Sequence, residues 1–540
     1  MSENNAEWLS HLSSEVISDV HGSLLDAYVI ALEGWRRGLK LRWHVENSEK
    51  FSEMVTWFTE RPGQLFSLSS ENITHYFFRS RGDKVTNEAV YIGKDKGNTK
   101  SHLSEHDVAV PNGKVFTSDQ TKEEVLDYSK KLGFPIVLKP KDGSFGRGVF
   151  VNITSMEELE ACYDYTKEFG ATDEIIVEKY ISGNDYRLYV VGDEVVGAMH
   201  RQPPNVIGDG VHSIEQLVEL KNAEREKNPR LVSCPIILND ELTDYISRNG
   251  HMLSTIPDKD ELIYLNFKGN ISLGGDPIDV LDTLSEEVKN TAVQALRAIA
   301  GLTHGAVDII ISEADNKPYV LELNPTAQLG GLLYPIKGKS RDIPKAIIDF
   351  YFPETKGNNV AQINTFFDFH DVLDPLQNRD ATVTTVTPCP QEKIYMKKYI
   401  VIGDVLDIGY HRGLRKQAFE RELHGYIMTK EIGDIEIVVG GTDPEMVEDF
   451  KNGIWEDEER ATVIEVLEED VDEAIKVGFE IKTDLKTQIE ELKWYKRELE
   501  ETELALKKAE LKRRKYYESL SWKATSPIRA VGSIFKKFKG

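Results

Sequence analysis

Between positions 22 and 40 the apolar residues Leu24, Leu25, Val29, Leu32 and Trp35 recur at helical spacing, and residues 40–44 switch to a short strand pattern. Thr121 with Glu124, and Ser155 with Glu158, are capping pairs placed before periodic apolar runs, and each predicts a helix start. Residues 134–139 (FPIVLK), bounded by Gly133 and Pro140, predict a compact strand. Residues 286–300 predict a helix that Gly301 ends. Two strand patterns follow, 306–312 and 319–324, joined by a turn at Asp315-Asn316. Residues 355–392 are polar and Asn/Thr/Pro-containing, which predicts a linker with some local structure. Residues 393–482 read strand, helix, strand, helix, strand, and 484–520 read as one long charged helix. In that helix Leu485, Leu492, Leu499 and Leu506 stand seven apart, the spacing of a coiled coil and an oligomer. Gln488, Tyr495, Thr502 and Ala509 between them are mixed, so a single solvated helix stays open as the alternative.

Length and charge narrow this picture. At roughly 150 residues per domain, 540 residues make three or four folded units. A hydrophobic content of 40% with 29% charged residues excludes a mainly disordered chain. The net charge of −25 excludes a general nucleic-acid binder, because phosphate recognition needs basic charge. Cys162, Cys234 and Cys389 are too far apart to indicate a disulfide framework or a cysteine zinc site. Neither a signal peptide nor a membrane-length apolar run is visible, so a cytoplasmic protein is expected. From position 507 to the end, eleven Lys or Arg face two acids, a net +9 that leaves −34 on the rest of the chain. A basic tail on an acidic body implies a partner of its own.

The candidate chemistry lies between residues 90 and 355. Residues 137–149 (VLKPKDGSFGRGV) deliver Lys139 on a strand into a loop whose Gly143, Gly146 and Gly148 leave backbone N–H groups open to an anion. Neither GxxxxGK[ST] nor GxGxxG is present there. Residues 175–187 (IIVEKYISGNDYR) run from an apolar strand through Glu178-Lys179-Tyr180-Ile181 into a turn with Asp185 and Arg187. Glu322 and Asn324 share one strand face, and a short hairpin would bring Asp308 to it. Three oxygen donors in strands flanked by Ile309, Leu321 and Leu323 suit a hard cation such as Mg²⁺.

Taken in order, Lys100, Lys139 with its glycine loop, Glu178 to Arg187, and Asp308, Glu322 and Asn324 resemble the ATP-grasp superfamily over about residues 90–355. The similarity extends to the modules of cyanophycin synthetase and bifunctional glutathione synthetases, through residues 95–113 (DKGNTKSHLSEHDVAVPNG), 187–201, 206–219 and 270–280. The resemblance implies that Lys100 and Lys139 contact phosphates, that residues 144–148 (with Ser144, Gly146 and Gly148) cover them, and that Glu178 with the backbone of Lys179, Tyr180 and Ile181 holds adenine. It implies Asp185 for ribose, Asp308, Glu322 and Asn324 for Mg²⁺ (Mn²⁺ as the alternative), and Arg187, His200, Arg201 and Asn270 around substrate and transferred phosphate. The implied reaction is carboxylate–amine ligation: ATP phosphorylates a carboxylate, and an amine displaces phosphate from the acylphosphate.

Residues 399–418, 423–441 and 446–466 resemble acylphosphatase, a ferredoxin-like βαββαβ fold, through Gly403, Val405, Gly409, Tyr410, Arg415, Ala418, Gly425, Tyr426 and Gly441. The departures fall on its chemistry: Asp407 replaces a loop glycine, His411 stands at the catalytic arginine position with Arg412 beside it, and Thr429 replaces the catalytic asparagine. A structural or regulatory domain is therefore expected, with an active acylphosphate hydrolase and an ATP-binding scaffold as the competing readings. The tail places Ile528, Val531, Phe535 and Phe538 near one helical face among Arg529, Lys536, Lys537 and Lys539, which suits an anionic membrane surface, with docking on the chain's own acidic body open as the alternative. Its SWKATSPIR is also similar to the ends of surface-polysaccharide glycosyltransferases, which implies a glycan precursor as partner and a place at the inner membrane face. Together these give an α/β and α+β multidomain chain: an α/β region 1–88, an ATP-grasp domain 89–355, a linker 356–392, an acylphosphatase-like domain 393–482, a helix 483–520 and a basic tail 521–540.

Overall fold

The computed structural model describes residues 6–18, 20–141, 148–169, 174–357, 365–430, 433–471 and 473–482, with Lys496, Leu499, Thr502 and Leu506 as isolated positions beyond. Ser144 and Gly146 of the glycine loop, Leu485 and Leu492 of the heptad run, and the basic tail lie outside the described residues. The chain divides into two compact units, one of residues 1–394 with 473–477, the other of 395–472 with residues from 478 onward.

The larger unit begins with α1 (Ser23–Arg36), β1 (Lys40–His44), β2 (Leu65–Ser69), β3 (Thr74–Phe78) and the short β4 (Arg81–Gly82). Next come α2 (Asn87–Lys94) and α3 (Lys96–Glu105), then β5 (Gly113–Phe116), α4 (Lys122–Leu132), β6 (Ile136–Pro140), β7 (Phe150–Ile153), α5 (Met156–Phe169) and β8 (Ile175–Lys179). These four strands form an antiparallel sheet of order β5-β8-β6-β7. The capping box that starts α4 is complete: Thr121 Oγ1 accepts the Glu124 N–H and the Glu124 carboxylate accepts the Thr121 N–H.

A second sheet carries the candidate chemistry. It contains β9 (Gly183–Val191) and β10 (Glu194–Gln202); after an excursion through β11 (Asn205–Ile207), α6 (Ile214–Arg225), α7 (Asp240–Arg248) and β12 (Leu262–Tyr264), it is completed by β13 (Asp276–Asp279) and, beyond α8 (Glu286–Arg297), β14 (His304–Ser312) and β15 (Pro318–Asn324). Its order is β13-β10-β9-β14-β15, antiparallel throughout. One face buries Leu188, Val190, Ala198, Val307, Ile309, Val320 and Leu323 against Ala292, Ala295 and Leu296 of α8. Alternation then sends Asp185, Arg187, Arg201, Asp308, Glu322 and Asn324 to the other face. Gly301 has φ +77°, in the left-handed region, just beyond α8. Asp185 and Arg187, expected in a turn, stand inside β9; Ile310 and Asp308 of β14 pair with them and keep that segment extended.

Two further differences concern boundaries. Residues 365–390, expected as linker, belong to the larger unit: beyond α9 (Gly330–Leu333) and α10 (Ile343–Tyr351) come β16 (Thr365–Phe366), α11 (Phe369–Gln377) and β17 (Val383–Thr385). β17 pairs with β1 in a sheet of order β17-β1-β2-β3-β4. Polar composition hides a few large apolar anchors there: Phe367 packs on Tyr28 and Trp35, and Phe369 on Trp43. The 393–482 segment also yields five residues to the larger unit, because β22 (Ile475–Lys476) pairs in parallel with β16 and Lys476 bonds Asp368 at 2.7 Å.

The smaller unit runs β18 (Tyr395–Asp404), α12 (Ile408–Glu420), β19 (His424–Thr429), β20 (Ile435–Gly441), α13 (Pro444–Ile454), β21 (Thr462–Glu469) and β23 (Phe479–Lys482). The order β21-β18-β20-β19-β23 contains the βαββαβ arrangement expected from sequence. Tyr399, Val401, Ile427, Ile437 and Val439 of its sheet pack with Leu414 and Phe450 of its helices.

Candidate active site

Lys100, Lys139 and Glu178 meet although 78 and 39 positions separate the two lysines from the glutamate. Asp95 caps α3 by accepting the Asn98 N–H, and the helix delivers Lys100 one turn further on. Lys139 leaves β6 beside Glu178 of the paired strand β8. Lys100 Nζ donates to Glu178 Oε2 at 2.5 Å and Lys139 Nζ donates to Oε1. Burial raises the Glu178 carboxyl, but the two ammonium groups outweigh it and hold the pKa below the ordinary value. Burial lowers Lys100, with Glu178 acting against it. One buried carboxylate thus orients two cations.

The second sheet presents a cross-strand polar row. Arg187, Asp308 and Glu322 lie directly opposite one another on β9, β14 and β15. Arg187 clamps Asp308 with Nε to Oδ1 at 2.7 Å and Nη2 to Oδ2 at 2.8 Å. Arg201 of β10 reaches both Asp185 oxygens, at 2.6 and 2.7 Å, and Asp308 Oδ2 at 3.1 Å. Burial alone would raise Asp308, yet Arg187 and Arg201 hold it well below the usual carboxylate range. Glu322 is raised by burial and by the neighbouring charge of Asp308, with which it shares a hydrogen bond. Asn324 Nδ2 donates to Glu322 Oε1 at 3.2 Å.

Two adjacent carboxylates and an amide form an oxygen donor set, and like charges so close call for a cation or a shared proton. Asp308, Glu322 and Asn324 are thus oxygen donors of the type a hard divalent cation takes, with both Asp308 oxygens held by Arg187 and Arg201. No group of three His, Cys, Asp or Glu side chains placed for a metal occurs among the described residues. Here the third donor is the amide of Asn324.

Lys96 was not singled out from sequence. It stands one turn before Lys100 on α3 and lies near enough to Glu322 to lower its pKa. A single helix face therefore connects the lysine cluster to the polar row, about 6 Å apart along the helix axis. The DKGNTK spacing was its available signal.

The remaining expected residues fall as follows. The N–H groups of Lys179 and Tyr180 are engaged by the Asn112 and Pro135 carbonyls, and Lys179 Nζ donates to the carbonyls of Gly133 and Phe134. Ile181 is half-buried between β8 and β9. Gly148 has φ +67° at the end of the glycine loop. His200 packs against Tyr186 across the strand pair with tilted rings, and burial lowers its pKa. Asn270 accepts the Leu273 and Gly275 N–H groups through its carbonyl, and a Cβ on Gly269 would sit 2.2 Å from the Arg201 carbonyl oxygen, so this loop lies against the end of β10. A cavity of about 630 Å³ opens one residue beyond Arg201, lined among others by Gln202, Asn205, Leu217, Lys221, Asp276 and Ile336.

In the smaller unit the Asp407 carboxylate accepts the N–H groups of Gly409 and Tyr410 at 2.7 and 3.1 Å. These loop N–H groups are thus occupied by a carboxylate of the chain itself. His411 is buried, burial lowers its pKa, and it donates Nε2–H to the Val405 carbonyl at 2.8 Å. Arg412 is exposed and Thr429 half-buried at the end of β19.

Comparison with known proteins follows this division. Residues 93–208 match the family described as RimK-like ATP-grasp domain, and residues 397–481 match Acylphosphatase. The chain is 31% identical over 279 residues to the cyanophycin synthetase of Crocosphaera subtropica, covering 50% of this chain and 32% of the relative. It is 32% identical over 302 residues to the glutathione biosynthesis bifunctional protein of Clostridium perfringens, covering 54% and 38%. The structure of a bifunctional glutathione synthetase from Pasteurella multocida aligns at 28% identity over 54% of this chain and 41% of that one, with a TM-score of 0.43. The chain thus spans about a third of the length of the curated relatives it matches. Within its larger unit the chain carries a RimK-like ATP-grasp domain, and later in the sequence an acylphosphatase-family domain.

Proposed function

We propose that the larger unit is an ATP-dependent carboxylate–amine ligase. The observation that carries this reading is the continuous array from Lys100, Glu178 and Lys139, past Lys96, to Glu322, Asp308, Arg187 and Arg201. Such an array supports the reading because its cations suit polyphosphate charge and its oxygen donors suit a divalent cation. Lys100 and Lys139 hold ATP phosphates. Glu178 and the 179–181 segment border adenine, and Asp185 the ribose. Asp308, Glu322 and Asn324 hold Mg²⁺, with Mn²⁺ as a substitute, and the bound cation screens phosphate charge. Arg187 and Arg201, fixed by Asp308 and Asp185, face the phosphoryl group in transfer, and Asn270 borders the substrate. A substrate carboxylate takes the γ-phosphoryl group, giving an acylphosphate and ADP; the amine then attacks the acyl carbon and phosphate leaves. This reaction needs no covalent nucleophile from the chain, and the cavity beyond Arg201 gives a substrate room.

The similarity of the tail to polysaccharide glycosyltransferases points the reaction at an amino acid or peptide bound for a cell-surface glycan precursor, at the inner membrane face, in an oligomer. The relatives are named for cyanophycin and glutathione synthesis, reactions that their own sequences carry. ADP and phosphate release with Mg²⁺, across pools of amino acids and amino sugars, tests the ligase reading. Stimulation by one pair that Glu322→Ala abolishes supports it; nucleotide binding without stimulation by any pool would sink the small-molecule form.

A further inference from the structure

Arg79 and Arg230 carry positive charge that no acid among the described residues neutralises by contact. Arg79, half-buried after β3, donates Nε to Gln64 Oε1 at 2.6 Å and Nη2 to the Trp57 carbonyl at 3.4 Å. Arg230, buried, donates to Gln328 Oε1 at 2.8 Å, Cys234 Sγ at 3.1 Å and Ser233 Oγ at 3.5 Å. Every one of these partners is neutral. The acid that feels both arginines is Asp26 of α1, whose carboxylate accepts the Leu329 N–H at 2.8 Å and pairs with neither. Burial lifts Asp26 to a pKa of about 7, so at neutral pH it returns only about half a charge. Buried or half-buried guanidiniums in such excess are unfavourable until an anion joins them.

Their position ties this excess to the proposed reaction. Residues 325–329 connect Asn324 to α9, and the groups around them fix that loop: Ser80 Oγ donates to the Ala327 carbonyl at 2.7 Å, Asp26 accepts from Leu329, and Arg230 holds Gln328. The helix α9 that this loop leads into lies on the polar-row face of the sheet, because a Cβ on Gly331 would meet Met199 Sδ, and Met199 is the cross-strand neighbour of Arg187. Lys94 adds charge on the same side: its Nζ sits 3.4 Å from the centre of the Trp57 ring that Arg79 also overlies, and burial together with Arg81 and Arg79 lowers its pKa. Arg79 has φ +54°, a left-handed backbone that a non-glycine residue adopts at a cost.

We propose that Arg79 and Arg230 bind a second carboxylate of the acyl substrate, remote from the one that is phosphorylated, so that the substrate is at least a dicarboxylate. The assignment rests on the ligase reading and adds the residues that select the acid. Arg187 and Arg201 are assigned to the phosphoryl group in transfer, which leaves Arg79 and Arg230 for this second carboxylate.

Calorimetry on the full chain, with saturating AMP-PNP and Mg²⁺ and again without them, tests it using glutarate, propionate and sulfate as probes. Glutarate is expected to bind at least tenfold more tightly than propionate or sulfate. Arg79→Gln and Arg230→Gln should each weaken glutarate tenfold or more while AMP-PNP affinity holds, and Arg230→Lys should recover part of the loss. Arg297→Gln, a surface arginine of the same unit, is the control expected to change nothing. Melting curves separate misfolding at the buried Arg230 from lost binding, and the half-buried Arg79 supplies the variant that judges the idea if Arg230→Gln unfolds. Glutarate binding no better than propionate, sulfate binding as well as glutarate, or glutarate binding that ignores the Arg79 substitution would overturn the proposal. Failure of the wild-type chain to bind AMP-PNP would overturn the ligase reading instead, and the nucleotide-free titration would still decide the anion site.

Discussion

Glu178 shows how much one buried carboxylate can hold in place. Glu178→Gln leaves Lys100 and Lys139 buried with no counter-ion between them. The expected cost is about 3 kcal/mol of unfolding free energy, measured by urea denaturation, together with loss of nucleotide affinity. The pH dependence has a definite sign. The folded pKa is depressed, so Glu178 contributes its full stabilisation above its unfolded value of about 4.3 and loses it as pH falls toward the folded value. The gap between wild type and Glu178→Gln should therefore close only in acid. Asp26 behaves oppositely. With a folded pKa of about 7 it is protonated in the fold and ionised in the unfolded chain from about pH 4 upward, so the fold loses stability as pH climbs through that interval and levels off above 7. Relative to Asp26→Asn, the wild type should lose up to about 4 kcal/mol between pH 4 and 8. Parallel pH curves for the two proteins would refute the assignment. The polar residues legible in the sequence were those two apart on a strand: Asp308, Glu322 and Asn324 needed only alternation and a short hairpin. Lys96, Arg79 and Arg230 were not legible, because what marks them is who stands near them in space.

At the scale of elements, the strand pair β9 and β14 sets the geometry of the polar row. Gly183 opens β9 where a Cβ would lie 1.9 Å from the Ile311 carbonyl oxygen, a contact with backbone that cannot rotate away. Gly183→Ala should therefore push β9 from β14 and spoil the Arg187–Asp308 fork. The expected stability loss is about 1–3 kcal/mol, with a larger fall in ATP turnover than Tm alone would give. In the smaller unit, Asp407 caps α12. Asp407→Ala should cost about 1 kcal/mol there, read as a lower midpoint for that unit in chemical denaturation. Helices and strands with strong periodicity, such as α8, β14 and the βαββαβ run, were readable from sequence because each buries one continuous apolar face. Residues 365–390 were not, since a few aromatic anchors rather than a periodic face fasten them to the core.

Across the whole molecule, substitutions in the two units are expected to act separately. Glu322→Ala is expected to abolish ATP turnover and leave the denaturation of the acylphosphatase-family domain unchanged, whereas Asp407→Ala should leave ATP turnover unchanged. Benzoyl phosphate should not be hydrolysed, because Asp407 occupies the loop N–H groups and His411 is buried against Val405. Turnover that survives Lys139→Ala and disappears in Arg412→Ala would revive the hydrolase reading. No helix among the described residues is long and apolar enough to cross a membrane, and the proposed membrane contact falls on a tail outside them.

The sequence by itself determined the βαββαβ order of the smaller unit, the sheet face that carries Asp308, Glu322 and Asn324, and the presence of an ATP-grasp region and an acylphosphatase-like domain. These follow from periodicity, capping and motif spacing, which act over a few residues at a time. Only the tertiary structure decided that Glu178 bridges two lysines, that Asp308 is shared by Arg187 and Arg201, that residues 365–390 and 473–477 close back onto the larger unit, and that Arg79 and Arg230 stand in cationic excess. The physical reason is common to all four. Charge pairing and burial depend on distances between groups tens to hundreds of residues apart, and chain spacing carries no record of those distances until the sheets are assembled.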